Sequence, residues 1–155
     1  MASLYLEDFT IGQAFKSSGR TITETDLTLF SMLSGDWHPI HADAEYSKGT
    51  RYGERVVHGI LGIAIAIGKL HELGIFEQSA IAMLSLQEWK FLAPVLVGDT
   101  LHLELTITSV AKGKSGRNGT LGRRFRLFNQ REVLVQEGES ELLILTRQGS
   151  SGILA

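Results

Sequence analysis

Cysteine is absent from the 155 residues, which excludes disulfides and thiolate metal sites. The same absence accords with a reducing compartment, and a cytoplasmic location is expected. Proline is scarce, at Pro39 and Pro94 only, so few positions lack a backbone donor. Long apolar runs are missing as well. The most hydrophobic segment, Ile60 to Ile67, falls far short of the roughly 20 residues that span a bilayer. Met1 to Asp8 shows no basic cluster followed by an apolar stretch, so no secretory signal is expected. Charge of one sign is missing too: the net charge of −2 gives no general pull toward nucleic acid or an anionic membrane, and neither is expected as a partner.

What is present is 43% apolar and 21% charged side chains, enough for one folded domain over residues 1–147 with a loose tail at 148–155. Phe15 to Ile22 reads as a first strand. Thr23 precedes Asp26 by three positions, an approximate capping box. Leu27, Phe30 and Leu33 follow at helical spacing and predict an amphipathic helix over 24–33, ended by Ser34-Gly35. Asp43 is placed to cap a brief helix running to Lys48, and residues 49–54 are turn-like. A longer helix is predicted from Gly59 to Leu73, with Gly74 as its terminator. Its first turns are apolar all round, which implies burial on most faces. Gly59, Gly62 and Gly68 each cost about 0.5–1 kcal/mol against Ala inside a helix, and imply close approach by a sheet or a ligand.

The second half is strand-like. Trp89 and Phe91 alternate with Glu88 and Lys90, and Leu101, Leu103, Leu105 and Ile107 alternate with His102, Glu104, Thr106 and Thr108, the pattern of half-buried strands. Further strands are predicted near Leu121 to Phe128 and from Val133 to Thr146, with Gly138 as a bulge. His71 and His102 read as surface residues. A strongly curved antiparallel sheet wrapped around one long central helix satisfies both patterns, an α+β architecture. Its open edges favour dimerisation.

The chemistry concentrates in Ser34-Gly35-Asp36-Trp37-His38-Pro39-Ile40-His41. Pro39 excludes a continuous helix between Asp36 and His41, so both side chains can converge on one small volume. A carboxylate beside an imidazole can hold a water and move protons both ways near neutrality. The start of the long helix, at Val57-His58-Gly59, offers amides without internal partners as oxyanion donors. Asp36, His38, His41 and His58 are all potential metal ligands, but their spacing matches no structural zinc pattern, and no metal is expected. Trp37 reads as a loop anchor in preference to a lid.

Gly-Asp-Trp-His-Pro-Ile-His resembles the Asp-x-Asn-Pro-(Ile/Leu)-His signature of the MaoC-like, R-specific enoyl-CoA hydratases. Val57-His58-Gly59 resembles that family's second block, and Phe91, Pro94, Val95, Gly98 and Asp99 resemble a third. The resemblance implies a hot-dog fold and a hydro-lyase that reversibly adds water to a trans-2-enoyl-CoA to give an (R)-3-hydroxyacyl-CoA. It implies Asp36 and His41 as the catalytic dyad and the Gly59 amide as the carbonyl-polarising group, with Trp37, His38 and His58 at the substrate. No cofactor is implied beyond the coenzyme A of the acyl-CoA substrate, and a homodimer or an oligomer of dimers is expected. Two departures stand out: His38 where the family usually has Asn, and Ala64 where several relatives have Ser. The competing expectations are a hot-dog thioesterase, whose carboxylate usually comes from the central helix, and a non-catalytic acyl-thioester-binding module. Between Gly59 and Lys69 there is no Asp or Glu, and Glu72 lies at the far end.

Overall fold

The computed structural model describes residues 3–151. Four long strands, β3 (Ala80–Phe91), β4 (Thr100–Lys112), β5 (Asn118–Phe128) and β6 (Leu134–Leu145), form the body of an antiparallel sheet. Short strands β1 (Ala14–Lys16) and β2 (Arg20–Thr21) both pair with β4, and the order is β1-β4-β5-β6-β3. The single first strand expected over 15–22 is split. Ser17 interrupts it by accepting the Leu103 N–H on its own Oγ at 2.9 Å, and the chain passes so close to β4 that a Cβ on Gly19 would lie 2.9 Å from the Thr100 methyl.

The two-residue alternation in β4 buries Leu101, Leu103, Leu105 and Ile107, which join Leu121, Phe125 and Leu127 of β5 and Val135, Leu142 and Ile144 of β6 in one core. Helix α4 (Gly59–Glu72) packs into this curved sheet through Leu61, Ile65, Ala66 and Leu70. Each of the Leu and Ile side chains contributes about 1.5–3 kcal/mol on burial. This is the α+β hot-dog arrangement. Burial of α4 on most faces does not hold: Ile60 is 59% exposed, Ala64 and Gly68 are exposed, and Ile63 and Ile67 are half-buried. Among the described residues no helix is long and apolar enough to cross a membrane.

Helix α1 (Glu24–Ser34) begins at the expected capping box, Thr23 with Asp26, and ends at Gly35 with φ +75°. Its predicted stripe is only partly inward. Leu27 is buried and Phe30 packs on the core, but Leu33 is 85% exposed and Ser31 is buried in its stead. Pro39 opens α2 (Pro39–Ala42) at its first position, where a missing N–H costs nothing. The stretch from Asp36 to His41, expected as a loop, is therefore loop only as far as His38, and a turn of helix carries His41. Helix α3 (Ala44–Lys48) is capped by Asp43, whose carboxylate accepts the Tyr46 N–H at 3.0 Å.

Three further expectations are corrected. Gly138 is not a bulge: its partner strand β3 carries the register shift between Gln87 and Lys90, with Glu88 at φ +47°, and Gly138 leaves room for the Trp89 ring. His102 is buried against Phe128, its ring stacked at 5.5 Å and its Nε2 3.7 Å from Glu132. Arg147–Ser150 form a helical turn, α5, capped by Thr146 with Gly149 buried, so 148–150 are not loose; residues 152–155 lie outside the described residues.

Candidate active site

Three short segments, distant in sequence, are laid side by side by backbone hydrogen bonds. Val56 N–H donates to the Ile40 carbonyl at 3.0 Å and Val57 N–H to the Val95 carbonyl at 2.8 Å, and Val56 bridges Leu96. The turn that presents Val95 is shaped by Gly98 at φ +94° and by Asp99, whose carboxylate accepts the Leu96 N–H at 3.0 Å. The start of α4 is thereby fixed beside α2. All three motif blocks of the sequence meet here.

Asp36 uses Oδ1 to accept the His38 N–H at 3.2 Å, which leaves Oδ2 turned toward two imidazoles. The His41 Nε2 and the His58 Nε2 each lie 3.8 Å from it. The His41 Nδ1 is 2.6 Å from the Val56 carbonyl; a carbonyl only accepts, so this nitrogen carries the hydrogen and neutral His41 offers a lone pair on Nε2. Burial pushes the His41 imidazole below its usual range; His58 and His38 push the same way, against the Val56 bond and the Asp36 charge. Two atoms 3.8 Å apart can share one oxygen at about 2.8 Å from each.

His58, expected at the substrate, is instead a buried brace. It is 3% exposed, donates from Nε2 to the Asp36 carbonyl at 3.0 Å, and stacks on His41 with ring centroids 3.8 Å apart. Its Nδ1 has no partner among the described residues. His38 is exposed, and its Nδ1 accepts the Ile40 N–H at 3.2 Å as the cap of α2. Trp37 is 53% exposed and is seated in no core cluster, so it is not an anchor.

A cavity of about 420 Å³ opens against His41, Gly59, Ile60, Phe91 and Gln136, with Arg51 and Tyr52 on another wall. Asp36, Trp37, His38 and His58 are not in its lining; Asp36 adjoins it through His41. No side chain caps the first turn of α4, so its leading amides, Gly59 first, have no partner inside the helix. Phe91 covers Gly59 so closely that a Cβ there would lie 2.6 Å from the ring. Gln136 escaped the sequence reading. It is 2% exposed, its amide donates to the Gly59 carbonyl at 3.1 Å, and it accepts from the Trp89 indole at 3.1 Å. The available signal was an amide side chain directly after the apolar run Val133-Leu134-Val135.

The donor atoms of Asp36, His41 and His58 lie within 4.8 Å of one another, so of the four potential ligands only His38 falls outside the cluster. The His58 Nε2 hydrogen is committed to the Asp36 carbonyl, and a cation would have to displace that bond. The cluster as built suits proton transfer.

Comparison with known proteins gives a consistent outcome. Residues 8–125 match the family described as MaoC like domain. The chain is 36% identical over 112 residues to an (R)-specific enoyl-CoA hydratase of Rhodospirillum rubrum, covering 71% of this chain and 74% of that one. It is 35% identical over 102 residues to Protein MaoC of Klebsiella aerogenes, covering 66% of this chain but only 30% of that longer protein. Among solved structures, a monoamine oxidase regulatory protein from Archaeoglobus superposes with a TM-score of 0.86 at 30% identity, covering 94% of this chain and 97% of the other.

Proposed function

Because the chain belongs to the MaoC like domain family, we propose that it is a hydro-lyase adding water reversibly to a trans-2-enoyl-CoA to give an (R)-3-hydroxyacyl-CoA. The observation that carries this reading is the 3.8 Å approach of Asp36 Oδ2 to His41 Nε2 beside the uncapped start of α4. In the proposed reaction these two groups hold one water. His41 Nε2 takes a proton from it, the hydroxide bonds C3, and the π electrons move toward the thioester oxygen. The Gly59 amide stabilises the charge that builds there. The dyad then returns the proton to C2, so the elements of water are added across the double bond. Dehydration is the same path reversed. In this reading no resident cofactor takes part, coenzyme A enters as part of the substrate, and Arg51, which lines the same cavity, meets its phosphates.

The thioesterase reading has less support. Glu72, the one carboxylate of α4, is bound to Lys69 and Ser18 and is absent from the cavity lining. The test follows loss of the conjugated enoyl-thioester absorbance with crotonyl-CoA and longer homologues, after treatment with a chelator. Asp36→Asn and His41→Gln should each lower kcat by about 10²–10⁴-fold, the usual range for general acid–base groups, with the circular dichroism unchanged. Full activity in either variant, or release of free thiol in place of hydration, sinks the assignment.

A further inference from the structure

At the other end of α4 from the active-site cavity lies a second pocket of about 400 Å³, with walls that include Ile67, Leu70, Phe76, Ile81, Met83 and Leu142. These walls are apolar, yet Arg123 of β5 also lines the pocket. Arg123 shares the inward parity of Leu121, Phe125 and Leu127 and is 2% exposed. Its guanidinium lies between two aromatic rings, 5.5 Å from the Phe76 centroid and 5.3 Å from that of Phe125. One hydrogen bond holds it, from Nη2 to the Ser140 hydroxyl at 2.8 Å, and its Nε is enclosed without any partner among the described residues.

Arg20, Arg55, Arg124, Arg126, Arg131 and Arg147 each reach a carboxylate. Arg123, more deeply buried than any of these, reaches none among the described residues. Glu77 lines the same pocket but is exposed and forms no ion pair with it. Burial pushes the guanidinium down to about 10, so it still carries its charge near neutrality. A buried cation facing an apolar pocket with several N–H donors unused is balanced by an anion that also offers lone pairs, and a carboxylate matches the guanidinium fork in shape and charge.

We propose that this pocket binds the carboxylate end of an aliphatic acid, with Arg123 as the anion partner and the α4, β3 and β6 side chains around the hydrocarbon. The carboxylate has two possible sources: a free fatty acid, or the far end of an acyl group that is itself carried as a thioester.

The test is calorimetric titration of the full chain with octanoate and with octanol. Octanoate should bind at least tenfold more tightly than octanol, and Arg123→Gln should erase the difference. Ile67→Trp, a change at a half-buried position of α4 away from the β3 edge, fills the pocket without touching the charge and should abolish octanoate binding in a folded protein. Equal affinity for acid and alcohol, or octanoate binding unchanged in Ile67→Trp, overturns the proposal. The source is read separately, in an arm that rests on the hydratase reading: a kcat/KM at least tenfold higher for 2-octenedioyl-CoA than for 2-octenoyl-CoA, lost in Arg123→Gln, assigns the site to the acyl group. The titration needs no turnover, so a chain that hydrates nothing would still answer it. Absence of both octanoate binding and the dicarboxylate preference sinks it.

Discussion

His41 and His58 stack ring on ring, yet their hydrogens are committed in different directions. His41 gives its Nδ1 hydrogen to the Val56 carbonyl and keeps Nε2 bare beside Asp36, whereas His58 gives its Nε2 hydrogen to the Asp36 backbone. In the proposed reaction the pair therefore supplies one base and one positioning residue. The base must be neutral to take a proton, and its pKa is lowered from 6.5, chiefly by burial and also by His58. In the hydration direction kcat/KM should accordingly rise with pH through a limb below 6.5 and stay level as pH climbs past neutrality. Replacing His58 by Asn removes a group that lowers the His41 pKa, so the acid limb should move to higher pH as well as the plateau falling. A brace with no electrical influence would lower the plateau alone. A pH–rate profile of the variant separates the two, and an unmoved limb defeats the coupling.

At the scale of elements, α4 shows why equal residues have unequal consequences. Its glycines cost the helix the same intrinsic amount, but only Gly59 and Gly62 are approached by other groups, while Gly68 faces open space. Gly68→Ala should therefore stabilise the fold by about 0.5–1 kcal/mol. Gly62→Ala gains the same propensity but drives a methyl into the Gln136 amide, and breaking the bonds to Gly59 and Trp89 leaves buried polar groups unpaired. A net loss of about 1–2 kcal/mol is expected. Urea denaturation of the two variants should give opposite signs, and equal signs would refute this account of the helix. The element-level plan was legible in the sequence because its signals are local: the capping box at Thr23, the period-2 run of β4, the terminating Gly74. What stayed hidden depends on neighbours far along the chain. Nothing near Gly138 says that the bulge belongs to β3, and nothing near Pro39 says whether a proline ends a loop or begins a helix. The 3.8 Å approach of Asp36 to His41 can be anticipated because the two are close in sequence. Gln136 was missed because its partners, Gly59 and Trp89, lie 77 and 47 residues away, and His58 was assigned to substrate because its depth is set by Phe30 and Ser31 on another helix.

For the whole molecule the unresolved tension is strand β3. It stands at the edge of the sheet and runs for 12 residues, yet Ile81, Met83, Leu84 and Leu86 are each 41–49% exposed. A long apolar edge offers unpaired backbone groups and a hydrophobic surface together, which natural folds cover or blunt. Ile60 on the open side of α4 adds to that surface. A second copy of the chain meeting β3 edge to edge would pair the backbone and cover the side chains in one step, and twofold symmetry makes the same patch serve both partners. The chain is therefore expected to sediment at twice its own mass at micromolar concentration. Leu84 sits where β3 slips register against β6, between Met83 and Ser85, so a change there perturbs the internal pairing little. Lysines placed at Leu84 and Leu86 should bury badly in a shared edge while tolerating solvent, and the double variant should sediment as a monomer with its strand content intact. A wild-type monomer at that concentration would mean that β3 is covered by something other than a second copy.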